Sequence, residues 1–532
     1  MTIKSIEAIA LRESLLDGNE IAVIDVRELG AFGHNHLLLA VNIPLSRIDL
    51  VIHDFVPRRS TRLVLCDTDE RLACRAASIL EETGYEDISI LKGGVVAWQD
   101  AGFELFSGDN VPSKAFGEYV EQHFGTPNIS AEELKVKLDA GEDLVILDSR
   151  PLAEYQNMSI PGGIDTEGAE LVHRVRSEAP NPTTLVVVNC AGRTRSIIGC
   201  QSLVNAGLEN PVVALKNGTM GWHLAGFDLD HGANCVAGEV SAPALDWAKN
   251  AAARVAKRFG VRTIDHETLE KWDAEAGNQT LYILDVRLPH EYEAGHFLGS
   301  RSAPGGQLVQ ATDRYIATRH ARIVLIDDNG IRATMTASWL IQLGWENAVV
   351  LKGGLDGEKL QCGPYEPPLP EFDASKVVEI EVSEMKQRLD NGTAIVVDFA
   401  DSRTYGAGHI PTARWTARSR IHQLIGFLPP AEVYVATAPT NGHARLAAAE
   451  MVKMTSTPIA YLKGGNAAWL EAGLPQSTGA EFPIGPMDDV YERPYDREKG
   501  VEEAMQQYLD WELALVEQIA RDGTLKLPYF AS

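Results

Sequence analysis

The chain has 532 residues, of which 45% are apolar and 23% charged, so it can bury several hydrophobic cores and is not disordered as a whole. Its 48 basic and 74 acidic residues give a formal charge of −26, which argues against nucleic acid or an anionic membrane as the main partner. Six cysteines without a CxxC pair exclude a disulfide scaffold and the common zinc motifs, so we expect no metal site and a reducing, cytoplasmic location. We also find neither an export signal nor an apolar run long enough to span a membrane.

Four copies of one pattern follow each other along the chain, each about 120 residues long. Each copy starts with an apolar run that ends in an aspartate, and these are Asp25, Asp148, Asp285 and Asp398. A second apolar run follows about 40 residues later, and then come a helical stretch, a short strand and a turn of the LKGG type. Strands that alternate with helices in this way form parallel sheets covered by helices on both faces. The pattern therefore predicts an α/β fold of four tandem domains.

The boundaries of these units follow from the joining segments. We place the four domains at residues 1–108, 128–232, 262–367 and 376–479, and a tail at residues 480–532. Apolar residues in the tail recur at helical spacing between Val501 and Ile519. The tail is therefore predicted to be helical, either packed on the domains or used for docking or dimerisation.

The loop after the second apolar run of unit two carries the clearest chemical signal. Cys190 stands at the end of a buried parallel strand, where α/β folds bind their ligands. The loop residues are Cys190, Ala191, Gly192, Arg193, Thr194 and Arg195. Backbone N–H groups of such a loop, together with the positive end of the next helix, bind anions and lower the pKa of a thiol. The sequence therefore predicts that Cys190 is a nucleophile rather than an ordinary buried cysteine.

Two kinds of residue support this loop. Gly192 gives the backbone the freedom to wrap tightly, and Arg193 and Arg195 add positive charge for an anionic substrate. Arg150 ends a strand at the same sheet edge and is a candidate for the pocket wall. The D-x-R motif persists in units without the loop cysteine, which favours a structural role for Arg150 instead.

These motifs together resemble the rhodanese-like (thiosulfate sulfurtransferase) family over roughly residues 5–479. The matching features are the D-x-R strand ends, the SIPGG and GHIPTAR phrases, the CAGRTR loop and the LKGG ending followed by tryptophan. Each feature is weak alone, and the set is specific. The resemblance implies four rhodanese-like domains and a helical tail. It also implies that Cys190 takes a sulfane sulfur from a donor such as thiosulfate, becomes a persulfide and passes the sulfur on, without a cofactor.

Unit one has a cysteine and an arginine at the same spacing, Cys66 and Arg71. Its loop is acidic and contains Asp67, Asp69 and Glu70. Carboxylates beside a thiol raise its pKa and repel an anionic donor. Cys66 is therefore a candidate for a second, weaker site or a relic of one.

Units three and four lack a cysteine at this position. Asp327 stands five residues before Arg332, and an aspartate cannot carry a persulfide. Unit four has Ala438 or a neighbour there. The sequence thus predicts one well-formed active loop in the chain.

Loop length separates sulfur transfer from phosphatase chemistry. Cysteine phosphatases, including a group related to this family, place five residues between the cysteine and the arginine. Only four residues separate Cys190 from Arg195, which favours the tighter sulfur-transfer loop.

The implied substrates are a small anionic sulfur donor and a thiol or cyanide acceptor, with a sulfur-carrier protein as a further acceptor class. Thiosulfate, a glutathione persulfide, 3-mercaptopyruvate and a protein persulfide remain open as donors, and the arginine-rich loop favours an anion such as thiosulfate. The alternative is a multi-domain binding scaffold with little turnover, because two of the four units lack the thiol.

Overall fold

The computed structural model describes residues 3–368, 377–497, 499–528 and 530. These residues form four sheets of five parallel strands, one in each repeated unit, and helices flank every sheet. The predicted α/β class with four tandem sheets and a C-terminal helix is therefore confirmed. No helix in the described ranges is both long and apolar enough to cross a lipid bilayer.

Unit one begins the chain. Its strands are β1 (Lys4–Ile6), β2 (Ala22–Asp25), β3 (Ala40–Asn42), β4 (Leu63–Cys66) and β5 (Ile88–Leu91). Its helices are α1 (Ala8–Leu15), α2 (Leu29–His34), α3 (Ile48–Phe55), α4 (Arg71–Glu82) and α5 (Gly94–Asp100). A linker helix, α6 (Val111–Phe124), leads to unit two.

Unit two repeats this order. Its strands are β6 (Asn128–Ile129), β7 (Leu144–Asp148), β8 (Gly163–Asp165), β9 (Leu185–Asn189) and β10 (Val212–Leu215). Its helices are α7 (Ala131–Asp139), α8 (Leu152–Asn157), α9 (Glu170–Glu178), α10 (Thr194–Ala206) and α11 (Gly218–Leu224). A second linker helix, α12 (Ala242–Phe259), follows.

Unit three has four α-helices. Its strands are β11 (Arg262–Ile264), β12 (Leu281–Asp285), β13 (Arg301–Ser302), β14 (Arg322–Ile326) and β15 (Ala348–Leu351). Its helices are α13 (His266–Ala274), α14 (Pro289–Ala294), α15 (Gly305–Gln310) and α16 (Ile331–Gln342).

Unit four and the tail complete the chain. The strands are β16 (Val378–Ile380), β17 (Ala394–Asp398), β18 (Arg414–Trp415), β19 (Val433–Thr437) and β20 (Ile459–Leu462). The helices are α17 (Val382–Asp390), α18 (Ser402–Ala407), α19 (Ile421–Leu424), α20 (Asn441–Val452), α21 (Gly465–Glu471) and the tail helix α22 (Val501–Asp522). Short 3-10 turns occur at Thr312–Arg314, Arg418–Arg420, Ile425–Phe427 and Pro494–Asp496.

The strand order is the same in all four sheets. In unit two it is β6-β10-β9-β7-β8, so β9 lies at the centre with β7 and β10 on either side. The runs of Val, Ile and Leu in β7 and β9 are typical of strands covered on both faces. Because all strands are parallel, the loops after β7 and β9 leave the same edge of the sheet, and this edge carries the site.

The D-x-R motif is part of the sheet edge. In unit two the Asp148 carboxylate accepts hydrogen bonds from Arg150 Nε at 2.8 Å and Nη2 at 2.7 Å, and Nη2 also donates to the Met158 carbonyl at 2.7 Å. The same pairing joins Arg27 to Asp25 and Arg287 to Asp285. The motif therefore ties the end of a strand to the following segment in three units.

The units pack against one another through buried ion pairs. Arg332 of α16 donates to Glu170 of α9 at 2.7 Å, which joins unit three to unit two. Arg418 of unit four donates to Asp49 of α3 at 2.6 Å, which joins unit four to unit one. The tail helix α22 packs against α6, so it lies on the side of unit two where the linker begins.

Candidate active site

The start of the Cys190 loop is held by hydrogen bonds from two sides. Strand β9 ends at Asn189, whose side-chain amide donates to Asp148 at 2.8 Å. The Cys190 carbonyl accepts hydrogen bonds from the Thr219 backbone N–H at 2.8 Å and from its hydroxyl at 3.0 Å. The turn before α11 therefore fixes the loop from behind.

Gly218 makes this contact possible. Its φ is +54°, and a Cβ atom at this position would collide with the Cys190 carbonyl oxygen. Only glycine combines this backbone conformation with such a close approach. The LKGG-type turn thus supports the active loop directly.

The Cys190 thiol is enclosed, with 2% of the residue exposed. Its Sγ lies 3.6 Å from Ser196 Oγ. Burial raises the pKa of the Cys190 thiol above its usual value, while Arg195 and the hydrogen bonds of Ser196 lower it. The contacts of the loop therefore act in the predicted direction, but the desolvation of the buried thiolate outweighs them and the pKa of Cys190 is raised.

The two loop arginines lie in different surroundings. Arg193 is buried and donates to Glu118 of α6 at 2.6 Å and 2.8 Å, to Glu121, and to Asn217 at 3.1 Å. Arg195 donates to Glu154 at 2.7 Å. Arg193 thus fastens the loop to the linker helix, and its charge is neutralised by two carboxylates.

Arg195 faces the cleft above Cys190 and reaches unit three. Its Nη1 atom donates to the Gln307 side-chain oxygen of α15 at 3.2 Å. Arg493 of the tail lies 3.8 Å from the same Glu154 carboxylate that binds Arg195. Although burial opposes it, Arg195 and Arg493 lower the pKa of Glu154 to about 2, so this carboxyl group is ionised at neutral pH.

The cleft is built from four parts of the chain. The active loop forms its floor, and the walls come from the start of α6, from unit three and from the tail. The residues outside the loop include Lys114, Glu154, Gln307, Arg314, Arg493, Tyr495, Tyr508 and Glu512. The structure does not bring Arg150 into this cleft, since its side chain is fully buried behind β7 against Asp148.

The cleft carries a local excess of positive charge within an acidic chain. Five cationic side chains and three carboxyl groups line it. The cations are Lys114, Arg193, Arg195, Arg314 and Arg493, and the carboxyl groups belong to Asp109, Glu154 and Glu512. An anionic substrate is therefore favoured over Cys190 despite the net charge of −26.

The residues opposite the loop were missed by the sequence reasoning. Gln307 and Arg314 belong to unit three, and Arg493 and Glu512 belong to the tail. The helical spacing of the tail predicts α22 but does not show what the helix covers. No local pattern links these positions to Cys190, because the contacts join segments more than 100 residues apart.

The strand register corrects the comparison between units one and two. Asp148 of β7 pairs with Asn189 of β9, and Asp25 of β2 pairs with Cys66 of β4. Cys66 therefore corresponds to Asn189, and Asp67 occupies the position of Cys190. The match of Cys66 with Cys190 by its spacing to Arg71 is wrong by one residue, because register and not spacing fixes the position.

The candidates of unit one lie apart from the cleft over Cys190. Cys66 is fully buried in its strand, and burial raises the pKa of its thiol well above the usual value. Arg71 points to solvent and pairs with Asp69 at 2.7 Å. A free, charged loop thiol is therefore not formed in this unit.

Asp67 closes the loop of unit one with its own carboxylate. It accepts backbone hydrogen bonds from Glu70 at 2.6 Å, Leu72 at 2.7 Å and Ala73 at 3.1 Å, with a further bond from Asp69. These N–H groups form the kind of concave site that binds anions. The side chain therefore occupies the place of an external anion.

Asp327 does the same in unit three. Its carboxylate accepts from the backbone N–H of Gly330 at 2.6 Å and of Ala333 at 3.2 Å. Asp285 pairs with Ile326, so the register confirms that Asp327 stands where unit two has Cys190. In unit four the same register places Ala438 there, which settles the choice left open by the sequence.

No cluster of three or more His, Cys, Asp or Glu residues in the part of the chain that the structure describes is arranged to hold a metal ion. The model of the rhodanese-like domain family matches residues 10–101, 130–225, 266–359 and 381–472. The chain belongs to the rhodanese-like family. Each matched range covers four of the five strands of one sheet and begins just after the first strand, so the resemblance seen in the sequence is confirmed.

The relationship to one solved rhodanese-like structure extends over the whole chain. The crystal structure of thiosulfate sulfurtransferase from Pseudomonas aeruginosa is 48% identical and superposes with a TM-score of 0.94. The match covers 99% of this chain and 100% of that chain. The arrangement of four domains and a tail is therefore shared with this protein.

Other relatives match a stretch of about one domain. The uncharacterized protein YqhL of Bacillus subtilis is 33% identical over 88 residues, which are 16% of this chain and 68% of that protein. The tRNA uridine(34) hydroxylase of Teredinibacter turnerae is 27% identical over 90 residues. This second match covers 16% of this chain and 28% of the hydroxylase.

Proposed function

We propose that this chain is a thiosulfate sulfurtransferase in which Cys190 carries the transferred sulfur as a persulfide. The supporting observation is the position of this thiol at the floor of a cleft with five cations, in a chain similar over its full length to a thiosulfate sulfurtransferase. The other three units have Asp67, Asp327 and Ala438 at this position. Catalysis is therefore assigned to unit two.

The first half-reaction loads the enzyme. The Cys190 thiolate attacks the sulfane sulfur of thiosulfate, a new S–S bond forms, and the bond to the sulfonate sulfur breaks with release of sulfite. Loop N–H groups and Arg195 stabilise the negative charge that gathers on the sulfur atoms. In the second half-reaction a thiol or cyanide attacks the outer sulfur of the persulfide and releases the Cys190 thiolate.

The arrangement of the chain supports a division of labour. In this proposal residues 128–232 perform the chemistry, and residues 1–108, 262–367 and 376–479 are three further domains, of which residues 262–367 contribute to the wall of the cleft. Tail residues such as Arg493 and Glu512 form part of the same wall. A reducing cytoplasm fits this enzyme, because Cys74, Cys235 and Cys362 are exposed free thiols that an oxidising compartment would modify.

The acceptor is a small thiol, cyanide or the end of a sulfur-carrier protein. Unit two, unit three and the tail all line the cleft, so in this proposal the acceptor meets residues of all three. Arg195 and Arg493 are cationic groups of the cleft, and both lie near Glu154. In this proposal they bind the anionic donor before the acceptor enters.

Mass spectrometry after incubation with thiosulfate tests the proposal. We expect a gain of about 32 Da on the peptide that contains Cys190, and no turnover in Cys190→Ser. Cys74→Ser, an exposed cysteine of unit one, is the matched control and should keep full activity. Cys66→Ser should also remain active, because its thiol is buried in β4.

Wild-type turnover in Cys190→Ser would contradict the assignment. A binding scaffold would instead give no sulfur on Cys190 and negligible turnover in the wild-type chain. The same measurement therefore separates the enzyme from its alternative.

A further inference from the structure

The tail helix α22 places a carboxyl group over the active loop. Glu512 is 2% exposed and belongs to the wall of the Cys190 cleft. Its Oε1 atom accepts a hydrogen bond from the Tyr508 hydroxyl at 3.0 Å. Its Oε2 atom has no hydrogen-bond partner among the described residues. A buried carboxylate oxygen without a partner is costly, so this atom needs an explanation.

Gly192 brings the backbone of the loop close to this oxygen. A Cβ atom at Gly192 would lie 3.4 Å from Glu512 Oε2 and 2.9 Å from Met220 Cε. The backbone of Gly192 is not in the left-handed region, and the side chains of Met220, Tyr508 and Glu512 pack directly over it. The free oxygen of Glu512 therefore faces the loop that carries Cys190.

Charged and titratable groups surround Glu512 from each element packed on it. They are Lys114 and Glu118 of α6, Cys190 and Arg193 of the loop, Tyr491 of the tail segment, and Tyr508 of α22 itself. Both cations are already engaged, because Lys114 donates to Asp109 at 2.5 Å and Arg193 binds Glu118. Glu512 is therefore left without an ion pair in the described part of the chain.

These surroundings match a group that gains and loses a proton near neutral pH. Burial raises the pKa of Glu512 to about 7, while Lys114 lowers it. Burial also keeps the Cys190 thiol protonated, since its pKa lies above the usual value. The thiol must lose this proton before it can attack a sulfur donor.

We propose that Glu512 accepts the thiol proton of Cys190 and delivers it to the sulfite that leaves when the persulfide forms. This inference rests on the proposed sulfurtransferase function. The Sγ–H bond breaks and the proton moves to Glu512. The thiolate then forms a bond to the sulfane sulfur of thiosulfate, and the bond to the sulfonate sulfur breaks with its electron pair.

The proton of Glu512 passes to the departing sulfite, which leaves as hydrogen sulfite. The products are the anionic Cys190 persulfide and the regenerated Glu512 carboxylate, so atoms and charges balance. A protonated Glu512 also removes a negative charge from the cleft while the dianionic donor reacts. A single carboxyl group thereby serves as base and then as acid.

The test compares Glu512→Gln with Glu517→Gln, an exposed glutamate on the same helix. Single-turnover formation of the persulfide is followed by rapid quench and mass spectrometry at about pH 7.5, and we expect Glu512→Gln to be slower by about 100-fold. Glu517→Gln should match the wild-type rate. Alkylation of Cys190 by iodoacetamide needs the thiolate but no protonated leaving group, so it should be slowed by a clearly smaller factor than persulfide formation in Glu512→Gln.

The pH profile adds a second readout. Wild-type persulfide formation should rise as Glu512 loses its proton, because burial raises the pKa of this group to about 7. In Glu512→Gln the rise should follow the higher pKa of the thiol instead. Glu512→Asp, which keeps the carboxyl group, should recover part of the rate, and thermal unfolding of each variant confirms that it is folded.

Three results would overturn the inference. Equal persulfide formation in Glu512→Gln and Glu517→Gln would remove any role for Glu512. A loss that is equal for thiosulfate and iodoacetamide would mean that Glu512 only alters the thiol. If the wild-type chain itself gains no sulfur on Cys190, the proposed function fails and the role of Glu512 fails with it.

Discussion

Ser196 controls how readily the Cys190 thiol ionises. Its hydroxyl lies 3.6 Å from Sγ and lowers the pKa of the thiol against the effect of burial. Ser196→Ala should therefore raise the pKa of Cys190 and reduce the thiolate present at neutral pH by about 2- to 10-fold, the value of one hydrogen bond. The measurement is the rate of iodoacetamide alkylation as a function of pH.

A helical serine elsewhere provides the control for this prediction. Ser78 of α4 is exposed and bonds only the Cys74 carbonyl of its own helix at 3.2 Å. Ser78→Ala should leave the alkylation profile of Cys190 unchanged. An unchanged midpoint in Ser196→Ala as well would show that this hydroxyl does not stabilise the thiolate.

At the scale of the element, the turn before α11 decides whether the active loop can form. Gly218→Ala would combine a left-handed backbone with a collision against the Cys190 carbonyl, and we expect a loss of more than about 3 kcal/mol and of activity. Gly226 has a φ of +81° with no atom within 4 Å of a Cβ. Gly226→Ala should therefore lose only about 1 kcal/mol of backbone strain.

Urea unfolding and thiosulfate turnover of the two glycine variants give the comparison. Equal destabilisation would mean that the contact with the Cys190 carbonyl is unimportant. The same crowding occurs in the other three units, where a Cβ would collide with the carbonyl oxygens of Asp67, Asp327 and Ala438 from Gly94, Gly354 and Gly465. This repetition explains why the LKGG-type turn persists where the cysteine is absent.

The strands and helices can be predicted from local sequence patterns, but the elements that pack against them cannot. Apolar runs ending in aspartate predict β7 and its counterparts, and the CAGRTR phrase predicts the loop of Cys190, because each depends on residues close in sequence. The error at Cys66 arose because the spacing to an arginine was counted along the chain. Pairing between β2 and β4 fixes that position instead.

The wall of the cleft opposite the Cys190 loop could not be predicted from the sequence, and the reason is physical. Gln307 and Glu512 reach Cys190 only through the packing of unit three and the tail on unit two. Such packing depends on surface shape and on buried ion pairs like that between Arg332 and Glu170, which leave no periodic pattern in the sequence. The chemistry of the loop was therefore predictable, and its enclosure was not.

For the whole molecule, buried carboxyl groups set the response of stability to pH. Burial raises their pKa values to about 7 for Glu28, about 7 for Asp165, about 8 for Glu167 and about 7 for Glu512. In an unfolded chain such groups titrate near about 4. The folded chain therefore binds more protons between these values, and stability is lost as the pH rises through about 7 to 8.

Two buried histidines act in the opposite direction at lower pH. Burial lowers the pKa of His36 and His443 to about 3, so the unfolded chain binds their protons first as the pH falls below the unperturbed value of 6.5. The four raised carboxyl groups outnumber these two histidines, so we expect the Tm to fall as the pH rises from about 5 to about 8. Differential scanning fluorimetry from pH 5 to about 8.5 measures this profile.

Glu167→Gln tests how much this carboxyl group contributes to the loss of stability above pH 7. Removal of this titrating group should flatten the decline of Tm above pH 7, because its pKa is raised to about 8. Glu517→Gln, which alters an exposed carboxyl group, should keep the wild-type profile. A Tm that increases steadily up to about pH 8.5 would contradict the sign derived from the buried carboxyl groups.

The tail helix is synthesised last, so the order of translation determines when the cleft over Cys190 can be completed. Glu512 is added to the growing chain more than 300 residues after Cys190. At about 5 to 20 residues per second, a ribosome needs roughly 15 to 60 seconds to cover this interval. A nascent chain therefore exposes its reactive cysteine long before it can cover it, and the finished cleft appears only when translation has reached α22.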